Sequence, residues 1–332
     1  MIRRASSITA GRSRYGEVGC CHELIFPTVW AAGGGTLAIV IPALPPWLSD
    51  MVPFERSMVQ VGEHRIHVMS SGQGVPVLCV HGNPTWGFLY RKVARALEEV
   101  PLRIIMPDLI GLGFSDHPTD PSMHTLEHHI AWMGRLIDAL DLDAVTLVVH
   151  DWGGPIGTGA FVDRPERLSG LVVLNTILSE PKEGFRPTLF HRFGRIPVVS
   201  DLAFRVFGFP QVRLSMAQAD KSSISGDVSR AYRYPLRSRR ANQAPLALTR
   251  MVPDSMEHPS VEPLRRIGRF VRDYRGPAEI VWGDRDPVLG RVRNHIARML
   301  PDAPVTRTDA GHFLQEEVPH EIAATIRRVA SV

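Results

Sequence analysis

The sequence predicts an α/β fold: a mostly parallel central sheet with helices on both faces and an inserted helical cap. Three observations predict it. Short apolar runs alternate with helical periodicity from Val52 to Leu178. The alternation stops over Pro181–Pro259, a stretch rich in proline and arginine, and resumes at Ala278. Within the first block, Val145–Gly159 reads as a buried strand, a sharp turn and a helix rich in glycine.

The chain has 332 residues, room for one large α/β domain with an insertion or for two small domains. A hydrophobic fraction of 44% supports a substantial core. The formal net charge of +4 does not itself point to nucleic acid. Much of the basic excess is arginine between Arg186 and Arg275, in segments without a nucleic-acid-binding motif. Cys20, Cys21 and Cys79 have no metal-ligand spacing, and a reduced, cytoplasmic setting is the simpler reading.

Residues 1–50 differ from the rest. Met1–Arg14 is arginine-rich and free of acids, and Ile25–Leu48 is apolar but broken by Pro27, Gly33–Gly35, Pro42, Pro45 and Pro46. These breakers argue against a membrane span. Glu17, His22 and Glu23 separate the basic start from the apolar stretch, unlike a signal peptide. We read 1–50 as an extension, disordered or upstream of the natural start, in preference to a weak membrane-surface segment.

Ser57–Val61 and His64–Ser70 alternate as paired strands around a Gly62-Glu63-His64 turn. Val75–Val80 and Arg103–Pro107 are further short strands, with helical periodicity over Phe88–Leu97 between them. Thr125–Leu140 is an amphipathic helix with Leu126, Ile130, Met133, Ile137 and Leu140 on one face. Strands follow at Val145–Val149, Leu168–Leu174, Ala278–Trp282 and Val305–Thr308, and helices at Arg291–Leu300 and Val318–Val329. The expected organisation is an extension at 1–50, a core at 51–178, a helical cap at 179–260 and the rest of the core at 261–332.

Three candidate reactive groups stand just past strand ends: Asp151, Asp286 and His312. Strand ends of a parallel sheet share one edge, so these groups could converge. Their order, nucleophile then acid then histidine, is that of a hydrolase triad, and Val145–Gly159 has the strand–turn–helix setting of a nucleophile elbow. Here the tip is Asp151 rather than serine, and Val149 replaces the usual leading glycine. The plainer reading of Asp151 alone is a helix cap. Asp284 and Glu180 are rival acids; Asn175 stands near a strand end but cannot carry the charge.

From about Pro53 onward the chain resembles the haloalkane dehalogenase branch of the α/β-hydrolases. The resemblance rests on His81-Gly82-Asn83-Pro84-Thr85-Trp86, Gly111-Leu112-Gly113-Phe114-Ser115-Asp116, His150-Asp151-Trp152-Gly153-Gly154-Pro155, Gly283-Asp284-Arg285-Asp286 and Gly311-His312-Phe313-Leu314-Gln315-Glu316-Glu317. It implies the α/β-hydrolase fold and the hydrolysis of haloalkanes to alcohol and halide through an ester on Asp151. A carboxylate is already ionised at pH 7 and needs no base to attack carbon. His312 would activate the hydrolytic water, and Asp286, which matches the family's Gly-x-x-Asp, would orient it. Asn83 and Trp152 would bind the halide through side-chain donors and form the oxyanion hole through backbone N–H groups. His81 and Trp86 read as structural, and His150 stays ambiguous.

Some relatives take a second halide-binding tryptophan from the cap, but none occurs here between Trp152 and Trp282. The implied partners are a small apolar halogenated substrate, water and halide, with no cofactor, metal or nucleic acid; membrane contact is not expected. The runner-up is an epoxide hydrolase, which needs cap tyrosine hydroxyls. Tyr232 and Tyr234 are the only cap tyrosines and share one short segment. No arginine beside Asp151 suggests a fluoroacetate-type enzyme, and no serine occupies the elbow. A non-catalytic binder on the same scaffold would not need all three triad groups.

Overall fold

The computed structural model describes residues 41–332. Its core is one eight-stranded sheet: β1 (Glu55–Val61), β2 (His64–Ser71), β3 (Val75–Val80), β4 (Leu102–Pro107), β5 (Val145–Asp151), β6 (Leu168–Thr176), β7 (Ala278–Gly283) and β8 (Val305–Thr308). The spatial order is β1-β2-β4-β3-β5-β6-β7-β8. β2 pairs antiparallel with β1 and β4, and all other neighbours are parallel. The fold expected from the sequence is therefore the fold observed.

Side chains alternate across the strands, so the sheet needs apolar cover on both faces. Leu78, Val80, Leu147 and Val149 join the core on one face, and Val77, Cys79 and Val148 that on the other. The Leu126–Ala139 helix covers the first face. The side chain of its N-cap, Thr125, accepts the backbone N–H of His128 at 3.2 Å. Its buried face is wider than the sequence stripe and also takes in His129, Trp132 and Leu136. Cys79 is buried, and burial pushes its thiol pKa upward.

Between β6 and β7 the described chain forms helices and turns only. The first of these, from Leu189 to Ala217, are short and irregular, including a π-helical turn at Leu202–Val206. Tyr232 and Trp86 tie this region to the core. Tyr232 Oη donates to Glu316 Oε1 at 2.5 Å, and Trp86 Nε1 donates to the Ala231 carbonyl at 3.1 Å. Glu316 also accepts both guanidinium arms of Arg91, so this buried carboxylate is fully paired.

The folded unit starts earlier than the sequence boundary at residue 50. Pro46–Ser49 is a helical turn whose Leu48 is completely buried, and Trp47 packs edge-on against Tyr234. Pro45 and Pro46, two of the prolines read as breakers, belong to that turn as its N-cap and first residue. The expected extension over residues 1–40 lies outside the described residues. Among the described residues no helix is long and apolar enough to cross a membrane.

Candidate active site

The order of the sheet changes direction at β3. β4 and β5 flank it on opposite sides, which opens a crevice at the carboxyl ends of β3 and β5. Val80 pairs with Val149, so the segments after these residues, His81–Asn83 and His150–Trp152, lie side by side. Asp151 has φ +50°, a conformation that costs a non-glycine residue energy. The Thr176 hydroxyl supports it by donating to the Asp151 carbonyl at 2.5 Å. A Cβ on Gly82 would collide with the Asp151 carboxyl group, so only glycine lets β3 approach this closely. Val149 is accommodated in place of the expected glycine because Gly157, on the following helix, leaves room for its side chain.

The three reactive groups named from the sequence converge. His312 Nδ1 lies 2.8 Å from Asp286 Oδ2, and His312 Nε2 lies 3.6 Å from Asp151 Oδ2. Asp151 Oδ1 accepts the Asn83 backbone N–H at 2.7 Å. Asp286 Oδ1 accepts the N–H groups of Val288 and Leu289 at 2.7 and 3.1 Å. The rival acids stand elsewhere: Asp284 pairs with Arg293 and Arg307, and Glu180 faces Arg265 at 3.9 Å.

Burial alone would raise the pKa of Asp151, but its contact with His312 outweighs burial and holds it at about 2. Burial opposes the charged imidazole of His312 too, yet the charge of Asp286 and the contact with Asp151 raise it to about 10. Asp286 is lowered despite burial, chiefly by His312. Two ionised carboxylates thus hold one proton on the imidazole between them.

Asn83 and Trp152 divide differently from the sequence expectation. The Asn83 amide donates to the Pro245 carbonyl at 3.0 Å and to Thr249 Oγ1 at 3.3 Å, so its side-chain donors face the Gln243–Arg250 helix. The Pro245 carbonyl and the Thr249 hydroxyl decide this, and no local sequence signal could. The Trp152 indole N–H has no such partner among the described residues, and Trp152 lines two cavities.

These cavities, of about 720 and 440 Å³, meet at Asp151, Trp152, Thr188, His191 and Val288. The smaller also reaches Asn83 and His312. His191 was not singled out in the sequence, where it is one histidine in an irregular cap. Its Nδ1 pairs with Thr188 Oγ1 at 2.7 Å, and burial lowers its pKa to about 4, so the ring is neutral at pH 7.

Three further residues act as supports. His150 Nε2 donates to the His312 carbonyl at 2.8 Å, and burial keeps His150 neutral with a pKa of about 4, which resolves its ambiguity as an anchor. His81 donates through Nδ1 to the Gly82 carbonyl and accepts the Leu109 N–H through Nε2, so it shapes its turn as expected. Asn175 donates to Asp286 Oδ2 and accepts the Gly283 N–H, both at 2.8 Å. From the cap, Ala217 accepts the His312 N–H at 2.8 Å and Gln218 accepts the Phe313 N–H at 2.8 Å.

Residues 75–319 match the family model described as alpha/beta hydrolase fold. A haloalkane dehalogenase of Mycolicibacterium paratuberculosis is 30% identical over 269 residues, covering 79% of this chain and 86% of that protein. A cis-3-alkyl-4-alkyloxetan-2-one decarboxylase of Shewanella oneidensis is also 30% identical, over 289 residues, covering 84% and 89%. Among solved structures, the tetrameric haloalkane dehalogenase of Paraglaciecola agarilytica superposes with a TM-score of 0.71 at 25% identity, covering 82% of this chain and 92% of that one.

Proposed function

This chain belongs to the haloalkane dehalogenase family of the α/β-hydrolase superfamily, and on that premise we propose that it hydrolyses haloalkanes to alcohol and halide through an ester on Asp151. The observation that carries the proposal is the Asp151 carboxylate itself. One oxygen is held by the Asn83 N–H, and the other faces His312 where two cavities meet.

In the first step an Asp151 oxygen attacks the carbon bearing the halogen. The carbon–halogen bond breaks and the halide leaves with the electron pair. Trp152 Nε1 is the donor best placed to stabilise the halide, because its N–H has no other partner among the described residues. The Asn83 amide contributes only by giving up its cap partners.

Esterification removes the negative charge of Asp151, one of the two charges holding the His312 proton. The His312 pKa then falls, and the ring releases its proton and can act as a base. Neutral His312 takes a proton from water, whose oxygen attacks the ester carbonyl. The N–H groups of Asn83 and Trp152 meet the developing oxyanion. Collapse passes the His312 proton to the departing alkoxide, and the second proton of the water, left on the Asp151 carboxyl group, moves to His312, which restores the carboxylate and the protonated imidazole. The balance is one water consumed and one alcohol, one halide and one proton released.

The epoxide reading lacks its acid. Tyr232 Oη is committed to Glu316, Tyr234 packs against Trp47 and Phe114, and neither lines either cavity. A second reading, loss of carbon dioxide from a β-lactone carrying two alkyl arms, is favoured by one observation: the two cavities diverge from Asp151 and offer a space to each arm. The deciding experiment measures halide release from chloro-, bromo- and iodoalkanes beside carbon dioxide release from a cis-3,4-dialkyloxetan-2-one and diol formation from epoxides. Halide release abolished by Asp151→Ala is expected. Carbon dioxide or diol formation without halide release would replace the proposal.

A further inference from the structure

We propose that the cap segment at 181–219 docks this protein on an anionic lipid surface, with the mouths of both active-site cavities turned towards the lipid. The first observation is apolar exposure. Of the thirteen large apolar side chains exposed among the described residues, ten fall between Phe185 and Met216. Leu189 is 79% exposed, Val198 77%, Phe207 68% and Met216 69%. A soluble surface scatters such residues singly, whereas a cluster marks a place of contact.

The second observation is charge. The segment at 181–219 holds six Lys or Arg against two Asp or Glu, a net +4 equal to that of the whole chain. Lys182, Arg186, Arg192 and Arg213 are exposed and have no carboxylate partner among the described residues. A segment that exposes apolar side chains together with free cations matches a bilayer surface, where the apolar groups enter the acyl boundary and the cations meet anionic headgroups. A second copy fits poorly. A symmetric contact through this patch would set +4 against +4.

The third observation is position. Phe185 and Arg186 line the larger cavity, and Leu189, Arg213 and Met216 line the smaller. The surface that would meet lipid is therefore also the rim of both openings. An apolar substrate dissolved in the bilayer would reach Asp151 without crossing water. Docking itself is independent of the reaction assigned above, so lipid binding and turnover fail or succeed separately.

The test is co-sedimentation of the full chain with vesicles of phosphatidylcholine alone and of phosphatidylcholine mixed with phosphatidylglycerol. Binding to the anionic vesicles is expected, weakening as salt rises. Val198→Asp with Phe207→Asp, both outside the cavities, should lower the partition coefficient at least roughly tenfold. Arg192→Gln should lower it about fivefold. Both variants should keep the parent's halide release from a water-soluble bromoalkane, which reports an intact fold. Absence of sedimentation with anionic vesicles overturns the proposal, as does binding that survives both variants. Self-association abolished by Val198→Asp with Phe207→Asp, without vesicle binding, would instead make the patch an interface between copies.

Discussion

Asn175 Nδ2 stands 2.8 Å from Asp286 Oδ2, the same oxygen that His312 Nδ1 approaches at 2.8 Å. With the N–H groups of Val288 and Leu289 on Oδ1, Asp286 is held as a fully paired buried carboxylate. Asn175→Ala should therefore cost about 1–3 kcal/mol of stability, because it leaves buried groups unpaired. It should also slow ester hydrolysis more than halide release, since only hydrolysis depends on an oriented His312. Thermal melts and pre-steady-state halide bursts measure the two effects. An unchanged ratio of burst to steady-state rate would confine Asn175 to a purely structural role.

His312→Ala should separate the steps. Displacement needs only the carboxylate and halide donors, so one halide per active site is expected in a burst before turnover stalls. Intact mass spectrometry after a bromoalkane should show the added alkyl group, and peptide mapping should place it on Asp151. Continuous turnover by this variant, or an adduct elsewhere, contradicts the ester mechanism.

The pKa shifts at the triad predict a pH dependence of stability. His312 is raised to about 10 when folded, so its contribution is fully present below the unfolded imidazole value of about 6.5 and lost as pH rises towards 10. Asp151 is lowered to about 2, so its contribution is present above the ordinary carboxylate value near 4 and lost as pH falls towards 2. The pair supports the fold most between about pH 4 and 6.5. Melting temperature against pH, for the parent and His312→Gln, should show an advantage of the parent that shrinks above pH 6.5. A constant difference would mean that the imidazole is not held protonated.

Trp152→Phe should lower the rate of the halide burst by roughly 10²–10³, the usual loss on removing one donor from a developing anion. Asn83→Ala should cut the burst less and lower the melting temperature more, because its amide holds Pro245 and Thr249. Stopped-flow bromide release beside thermal melts decides between these outcomes. A larger kinetic loss in Asn83→Ala would show that the amide turns to the halide during turnover.

Removal of residues 1–40 should leave stability and activity at parental levels. Removal through Asp50 should cost about 2–5 kcal/mol, because Leu48 is completely buried and its loss opens a cavity. Urea denaturation of the two shortened chains measures the difference, and equal midpoints would show that the Pro46–Ser49 turn adds nothing.

The strands, their alternation with helices and the elbow were legible from residue pattern. Each is a local property: period-two apolar runs, glycines where backbones must approach, and polar groups just past a strand end. Parallel pairing then places those ends on one edge, so Asp151, Asp286 and His312 converge without any further signal. The start of the fold at Pro46 is not legible in the sequence, because a proline-rich approach reads as a run of breakers while the burial of Leu48 depends on distant partners.

Other features required the folded chain. Spacing alone left Asp284, Asp286 and Glu180 as candidate acids; only the resemblance favoured one, and in the structure side-chain direction brings Asp286 to His312 while Arg293 and Arg307 take Asp284. Asn175 could be seen near its strand end, but its bond to Asp286 spans 111 residues of sequence. The Asn83 amide turns towards a helix more than 160 residues away, which redirects donors that the sequence assigned to the halide. The exposed cap surface was likewise hidden, because an arginine- and proline-rich sequence does not say which of its apolar residues find cover. Sequence by itself determined the sheet and the kinds of reactive group on its edge, through local periodicity. The tertiary structure decided their partners and which apolar residues between β6 and β7 stay exposed, because both depend on contacts between segments far apart in the chain.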